Sequence, residues 1–289
     1  MSQVKKCTDY LDLIQLNSQE RLGFYSGMEC LDELIWFRKQ ILAIVTGHSS
    51  TGKSELVDQV CMNWAILHGY KTRFFSPENN PPESHWRKHI ERYVGKQIQY
   101  ITKDELKEAT EFLDKHFAAI ELGENELASI DLLMEIVKTE YEKEPFDIIV
   151  LDPWNECDFN MEDREDLYIS KKLSQIKKVI KPRNLSCIIV AHPRTPREKI
   201  TDHKGRQDYP PPKLHEISGG GNWKNKCEIG ISCHRHPEDN ELRVQVQKRK
   251  DKSYGNIGEV FIDYDFKTGR FKCKHNKEFL LPNQIEAAF

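Results

Sequence analysis

Eight consecutive residues, Gly47-His48-Ser49-Ser50-Thr51-Gly52-Lys53-Ser54, carry the clearest chemistry in the chain. They spell G-x-x-x-x-G-K-[ST], a spacing that turns backbone N–H groups inward around phosphates. Lys53 can reach the β/γ-phosphates, and the Ser54 hydroxyl can hold Mg2+. The motif has physical meaning only between a strand and a helix. Here the apolar run Ile41-Leu42-Ala43-Ile44-Val45 precedes it, and Leu56, Val57, Val60, Trp64 and Leu67 follow at helical spacing. The loop therefore sits at a helix N-terminus, where anions bind.

Binding a phosphate is not cleaving it, and hydrolysis needs a further acid to hold the metal. Asp152 closes the short apolar run Ile148–Leu151 and can bind Mg2+ through water. Alone, a strand-end Asp is often just a helix cap; paired with the P-loop about a hundred residues earlier, the metal role is favoured. Glu78 follows the strand-like Arg73-Phe74-Phe75-Ser76. Its strand is expected beside the P-loop strand, where the carboxylate could polarise an attacking water. Spacing alone leaves the rival reading, an exposed loop glutamate, equally open. His192 ends the run Cys187–Ala191, at the strand edge where ligands gather in open α/β sheets. A lone His is more often structural.

The elements that must position these residues are legible from periodicity. Helices are expected over 83–94, from a Thr102/Glu105 capping box through Phe117, over 127–142 and over 163–180. The last has an acidic first turn and a basic last turn, as the helix dipole prefers, so its charges read as a solvated face. The runs 148–151 and 187–191 suit central parallel strands buried on both faces. Residues 242–246, 259–264 and 270–274 read as antiparallel strands, the last pair joined at Lys267-Thr268-Gly269. The fold class expected is α/β: a mainly parallel central sheet with helices on both faces and a C-terminal antiparallel hairpin. Residues 1–25 read as a linker or arm, 26–276 as the nucleotide-binding domain and 277–289 as a tail.

Composition narrows the partners. Charged residues make up 31% and hydrophobic ones 38% of 289 residues, which excludes bulk disorder. No apolar run reaches the roughly 20 residues a membrane span needs, so no membrane partner is expected. The start lacks an apolar signal core, which points to a cytoplasmic protein. Eight cysteines form no C-x-x-C pair, so reduced thiols are the expectation. Cys227, Cys233, His234 and His236 fit no common zinc spacing. With a net charge of -3, any nucleic-acid contact must be local. Residues 193–213 supply such a place: Arg194, Arg197, Lys199, Lys204, Arg206 and Lys213 outnumber Glu198, Asp202 and Asp208 by three. The bland alternative is a solvated loop.

Three segments together resemble one family. Ser76-Pro77-Glu78-Asn79, Leu151-Asp152-Pro153-Trp154-Asn155 and Val190-Ala191-His192-Pro193-Arg194, in this order after the P-loop, are similar to the motifs of DnaB-type replicative ring helicases. The phage primase-helicase and Twinkle-like branch is the nearest match. The resemblance implies a RecA-like ATPase fold, with ATP and Mg2+ as cofactors. It implies Lys53 and Ser54 on phosphate and metal, Asp152 on the metal, Glu78 as base and His192 as γ-phosphate sensor. It makes the 193–213 loop a grip on single-stranded DNA; Ser218–Asn222 is a second candidate for backbone contact with phosphate, its glycines equally able to make only a turn. The resemblance implies an adenine held between Arg235 and Tyr264. An arginine finger from the neighbouring subunit falls at Arg249, with Lys248 and Lys250 as alternatives in register. A homo-oligomeric ring, a hexamer, and a primase or loader protein are the implied partners. The activity expected is ATP-driven translocation of single-stranded DNA, that of a replicative helicase. A RecA-like recombinase, an accessory DNA-dependent ATPase and a non-motor ATP-bound adaptor are the rivals. Ring against filament in electron micrographs, and turnover with and without single strands, separate them.

Overall fold

The computed structural model describes residues 6–10, 23–79, 81–123, 125–157, 164–196, 198–201, 205–252 and 255–273. The expected tail 277–289 and most of the expected arm lie outside these. Residues 23–25 are not part of a free arm: Phe24 pairs with Phe37, and the Trp64 indole N–H donates to the Tyr25 carbonyl at 3.0 Å.

A short helix, α1 (Glu29–Asp32), leads into β1 (Leu42–Thr46), every residue of which is buried. The phosphate-loop motif follows and opens the P-loop helix, α2 (Lys53–His68). Then come β2 (Thr72–Phe75), α3 (Pro82–Val94), α4 (Lys103–His116), β3 (Phe117–Ala119), α5 (Ile130–Lys143) and β4 (Ile148–Leu151). Next are α6 (Glu165–Ile180), β5 (Ser186–Ala191), a two-residue pair β6 (Ile200–Thr201) and β7 (Gln207–Asp208), and α7 (Asn222–Lys226). The chain ends in β8 (Ile229–His234), β9 (Glu241–Arg249), β10 (Gly258–Asp265) and β11 (Arg270–Cys273). The capping box is present: Glu105 N donates to Thr102 Oγ1 at 3.3 Å and Thr102 N to Glu105 Oε2 at 2.9 Å.

One sheet runs β11-β10-β9-β8-β1-β5-β4-β2-β3. From β8 through β3 the neighbours are parallel, and β9, β10 and β11 extend the β8 edge antiparallel. The expected hairpin is thus the end of a longer antiparallel extension. Central strands buried on both sides need helices on both faces, and two apolar clusters supply them. Leu56, Val60, Trp64, Phe74 and Leu113 pack on one face, and Leu133, Val137, Leu173 and Ile176 on the other.

Three expectations are corrected here. The strand before Glu78 is not beside β1, because β5 and β4 lie between. Crossover connections, which periodicity does not report, set that order. The charges of α6 are not merely solvated: buried Lys172 reaches Asp131 at 2.5 Å and Lys177 reaches the buried Glu228 at 2.7 Å. And the thiols are not all reduced, since Cys30 and Cys273 form a disulfide across 243 residues of sequence. The fold brings α1 against β11, a contact that no local spacing announces.

Candidate nucleotide and nucleic-acid site

The phosphate loop is shaped by crowding. A Cβ on Gly47 would meet the Cys233 carbonyl oxygen at 2.5 Å, so the residue that leaves β1 can only be glycine. Gly52 caps the P-loop helix at φ +90°, in the left-handed region. The loop bonds to itself. Lys53 Nζ donates to the His48 carbonyl at 2.8 Å, and Thr51 Oγ1 donates to the same oxygen at 2.8 Å. Burial lowers the Lys53 pKa from its usual value, and Cys233, Asp152 and Glu78 oppose that.

One pocket of about 460 Å³ gathers the predicted residues from distant parts of the chain. Ser49, Ser50, Gly52, Lys53, Ser54, Glu78, Asp152, His192, Arg235 and Tyr264 all line it, together with Asn79. Asp152 is 5% exposed. Burial raises its pKa to about 6, and a hydrogen bond from Ser54 works the other way. A desolvated carboxylate bonded to the P-loop hydroxyl is a donor set that suits Mg2+. His192 is held by its backbone N–H, which donates to Asn155 Oδ1 at 2.9 Å. Its Nε2 lies 3.8 Å from Glu78 Oε1. Burial and then Lys53 push its pKa down to about 4, so the ring is neutral near pH 7.

Arg235 and Tyr264 face each other across the pocket mouth, the guanidinium 5.6 Å from the phenol ring centroid. Phe266 was missed by sequence reading. Its ring lies 5.3 Å from the same guanidinium and 4.9 Å from Tyr264, at 83°. It is 61% exposed; an exposed aromatic at alternate spacing from Tyr264 was the available signal. The Arg235 guanidinium also donates to the Ser50 carbonyl at 3.0 Å, tying this wall to the phosphate loop.

The finger candidates stand elsewhere. Arg249 ends β9 and pairs with Ile229 at the start of β8, at the sheet edge away from the loop after β1. Lys248 Nζ donates to the Lys224 and Asn225 carbonyls, and Lys250 lies 3.4 Å from Glu228. Arg249 Nε has no partner among the described residues.

Of the basic loop, Arg197 and Lys204 lie outside the described residues. Arg194 and Lys199 are exposed. Arg194 approaches Glu165 at 3.7 Å and Lys199 lies 5.4 Å from the Tyr209 ring centroid. Arg206 is engaged instead, at 2.7 Å from Asp239. The glycines of Ser218–Asn222 line a shallow hollow of about 610 Å³ with Arg194, Arg164, Glu165 and Asp166. Cys227 and Cys233 are buried, with pKa values raised by that burial to about 11 and 12, and His234 pairs with Asp208 at 3.2 Å. They form no ligand group among the described residues, where the candidate set is Asp58, His85 and His89. No helix among the described residues is long and apolar enough to cross a membrane.

No family model matches the chain. It is 30% identical over 265 residues to the Twinkle homolog protein, chloroplastic/mitochondrial, of Arabidopsis thaliana, covering 86% of this chain. The chain spans about a third (36%) of that relative's length. A solved structure of a DnaB-like replicative helicase and its interactions with primase superposes with a TM-score of 0.73 at 16% identity, over 93% of this chain and 68% of that one. A solved ATPase domain superposes with a TM-score of 0.72 at 16% identity, over 92% of this chain and 96% of that one. The chain thus has the RecA-like ATPase fold of DnaB-like replicative helicases, and its sequence resembles theirs through the Twinkle homolog.

Proposed function

We propose that this chain is the ATP-hydrolysing core of a replicative DNA helicase, working as a ring, a hexamer, that draws single-stranded DNA through its centre. The observation that carries this reading is the pocket in which the P-loop, Asp152, Glu78 and His192 meet. A nucleotide switch needs the loop alone; a hydrolase needs the acids as well.

The residues divide the work. Backbone N–H groups of Gly47–Ser54 and the Lys53 ammonium bind the β/γ-phosphates. Ser54 and Asp152 would hold Mg2+, which neutralises phosphate charge during transfer. Glu78, exposed and 3.8 Å from the His192 ring, takes the proton of the attacking water. Arg235, Tyr264 and Phe266 hold the base. His192, next to the start of the basic loop, links the state of the γ-phosphate to Arg194 and Lys199. Arg249 reaches the ATP of the adjoining subunit. A primase or loader protein remains the expected partner.

Glu78→Gln tests the base. Nucleotide still binds within a few-fold of wild type, because the amide keeps the shape and no bond to phosphate is lost. Turnover falls by about 10²–10⁴, the usual contribution of a positioned base. Normal turnover would remove Glu78 from the mechanism. If strand displacement on forked DNA is absent, the reading turns toward a recombinase or an adaptor.

The loop has its own test. Neutralising Arg194, Arg197 and Lys199 together flattens the salt dependence of single-strand binding by about 2 in the log–log slope, since each lost phosphate contact removes about 0.7. An unchanged slope returns the loop to the solvent.

A further inference from the structure

The chemistry above leaves unused a group buried just beyond the phosphate loop. Asp58 lies on the P-loop helix, and His85 and His89 lie one turn apart on α3; they are 4%, 6% and 0% exposed. His85 Nε2 is 3.1 Å from His89 Nε2 and 3.3 Å from Asp58 Oδ1. The His89 nitrogen is 3.8 Å from that oxygen. Three atoms able to offer lone pairs thus form one small triangle.

Hydrogens alone do not satisfy it. A hydrogen on His85 Nε2 can point at the carboxylate, or that nitrogen can accept from His89, but not both. The His89 ring is fully buried, 0% exposed. Its Nδ1 has no partner among the described residues. A tetrahedral cation bound at about 2.0–2.1 Å sets its ligand atoms about 3.3–3.4 Å apart. The three edges bracket that spacing.

We propose that Asp58, His85 and His89 bind a structural divalent transition-metal cation, zinc by preference. Two imidazoles and a carboxylate suit such an ion. Mg2+ and Ca2+ favour oxygen ligands and are poorly served by two ring nitrogens. Asp58 Oδ1 and Oδ2 lie 3.3 and 3.2 Å from His85 Nε2, and Oδ2 also lies 3.6 Å from Arg92 Nη1. Arg92 is itself fixed by Glu55 and by its Nε, which donates to the Gly269 carbonyl at 2.9 Å. It is an outer partner that orients the carboxylate. His85 also lines a cavity of about 400 Å³ beside Phe74, Ser76 and Trp86, which gives an entry path and room for a water as fourth ligand. The ion would pin the P-loop helix to α3, the helix that follows the Glu78 loop.

The whole chain, stripped by chelator and free of nucleotide, is titrated with Co2+ as probe. One equivalent binds with the strong visible bands of tetrahedral cobalt, X-ray absorption shows imidazole nitrogen at the ion, and Zn2+ displaces it. His89→Gln and Asp58→Asn each weaken binding at least as much as the 10–100-fold typical of losing an outer partner. Absence of one-to-one binding overturns the site. So does an octahedral, all-oxygen ion, which would place it at Ser54 and Asp152 instead, or unchanged affinity in a folded His89→Gln chain. If the variants fail to fold, the cobalt spectrum and X-ray absorption of the unaltered chain decide the matter alone.

Discussion

Lys53→Ala removes ATP turnover, with a fall in rate of at least about a hundredfold, the scale seen when one preorganised charge partner is lost. The reason lies in what the ammonium does while it waits. It is 5% exposed and bonds to the loop's own His48 carbonyl at 2.8 Å. Burial lowers its pKa, so the charged form is held at a cost that an arriving phosphate offsets. Alanine removes that buried charge from the nucleotide-free chain. The variant should therefore melt at or above the wild-type temperature, while the rise in Tm on adding nucleotide disappears. A variant that keeps both turnover and that rise would take the loop out of the chemistry.

Arg249→Ala lowers kcat by about 10³–10⁵ and leaves nucleotide affinity within a few-fold, as expected of an arginine finger. The effect must come from a neighbour. Arg249 lies level with Ile229 at the start of β8, whose other end, His234, lies toward the phosphate loop. Five residues of strand separate them by roughly 17 Å at about 3.3 Å each. Lys248 and Lys250 already serve Lys224, Asn225 and Glu228, which favours Arg249 among the candidates. A mixture of Arg249→Ala and Glu78→Gln chains distinguishes action within a subunit from action across an interface. In equal amounts, about a quarter of head-to-tail interfaces pair an intact Glu78 with an intact Arg249. Activity in the mixture, where neither variant alone has any, confirms the finger; none in the mixture rejects it.

How much of this could be read from the sequence depended on how local each feature is. The phosphate loop, β4 and β5 were legible because their signals occupy a few adjacent residues with the right flanks. The Thr102–Glu105 cap was legible for the same reason. Strand order was not, since nothing in Arg73–Glu78 states that two strands intervene before β1. The Cys30–Cys273 pair was invisible because its members meet only through tertiary packing. The Asp58–His85–His89 triangle was half visible: His85 and His89 stand four apart on an expected helix, but their partner lies on another. Arg206 illustrates the opposite failure. As a count of charge it belonged to a basic loop; in the fold it is paired with Asp239.

His48 occupies one of the variable positions of the phosphate loop, where the motif asks for nothing. Its Nε2 lies 3.1 Å from the Pro210 carbonyl and its ring 5.6 Å from that of Tyr209. The segment that starts at His192 is therefore tethered at its far end as well, and Ser232 Oγ and Gln247 Nε2 add anchors by donating to the Pro212 carbonyl at 2.7 and 2.8 Å. Both ends of that segment are thus fixed beside the same phosphate cradle.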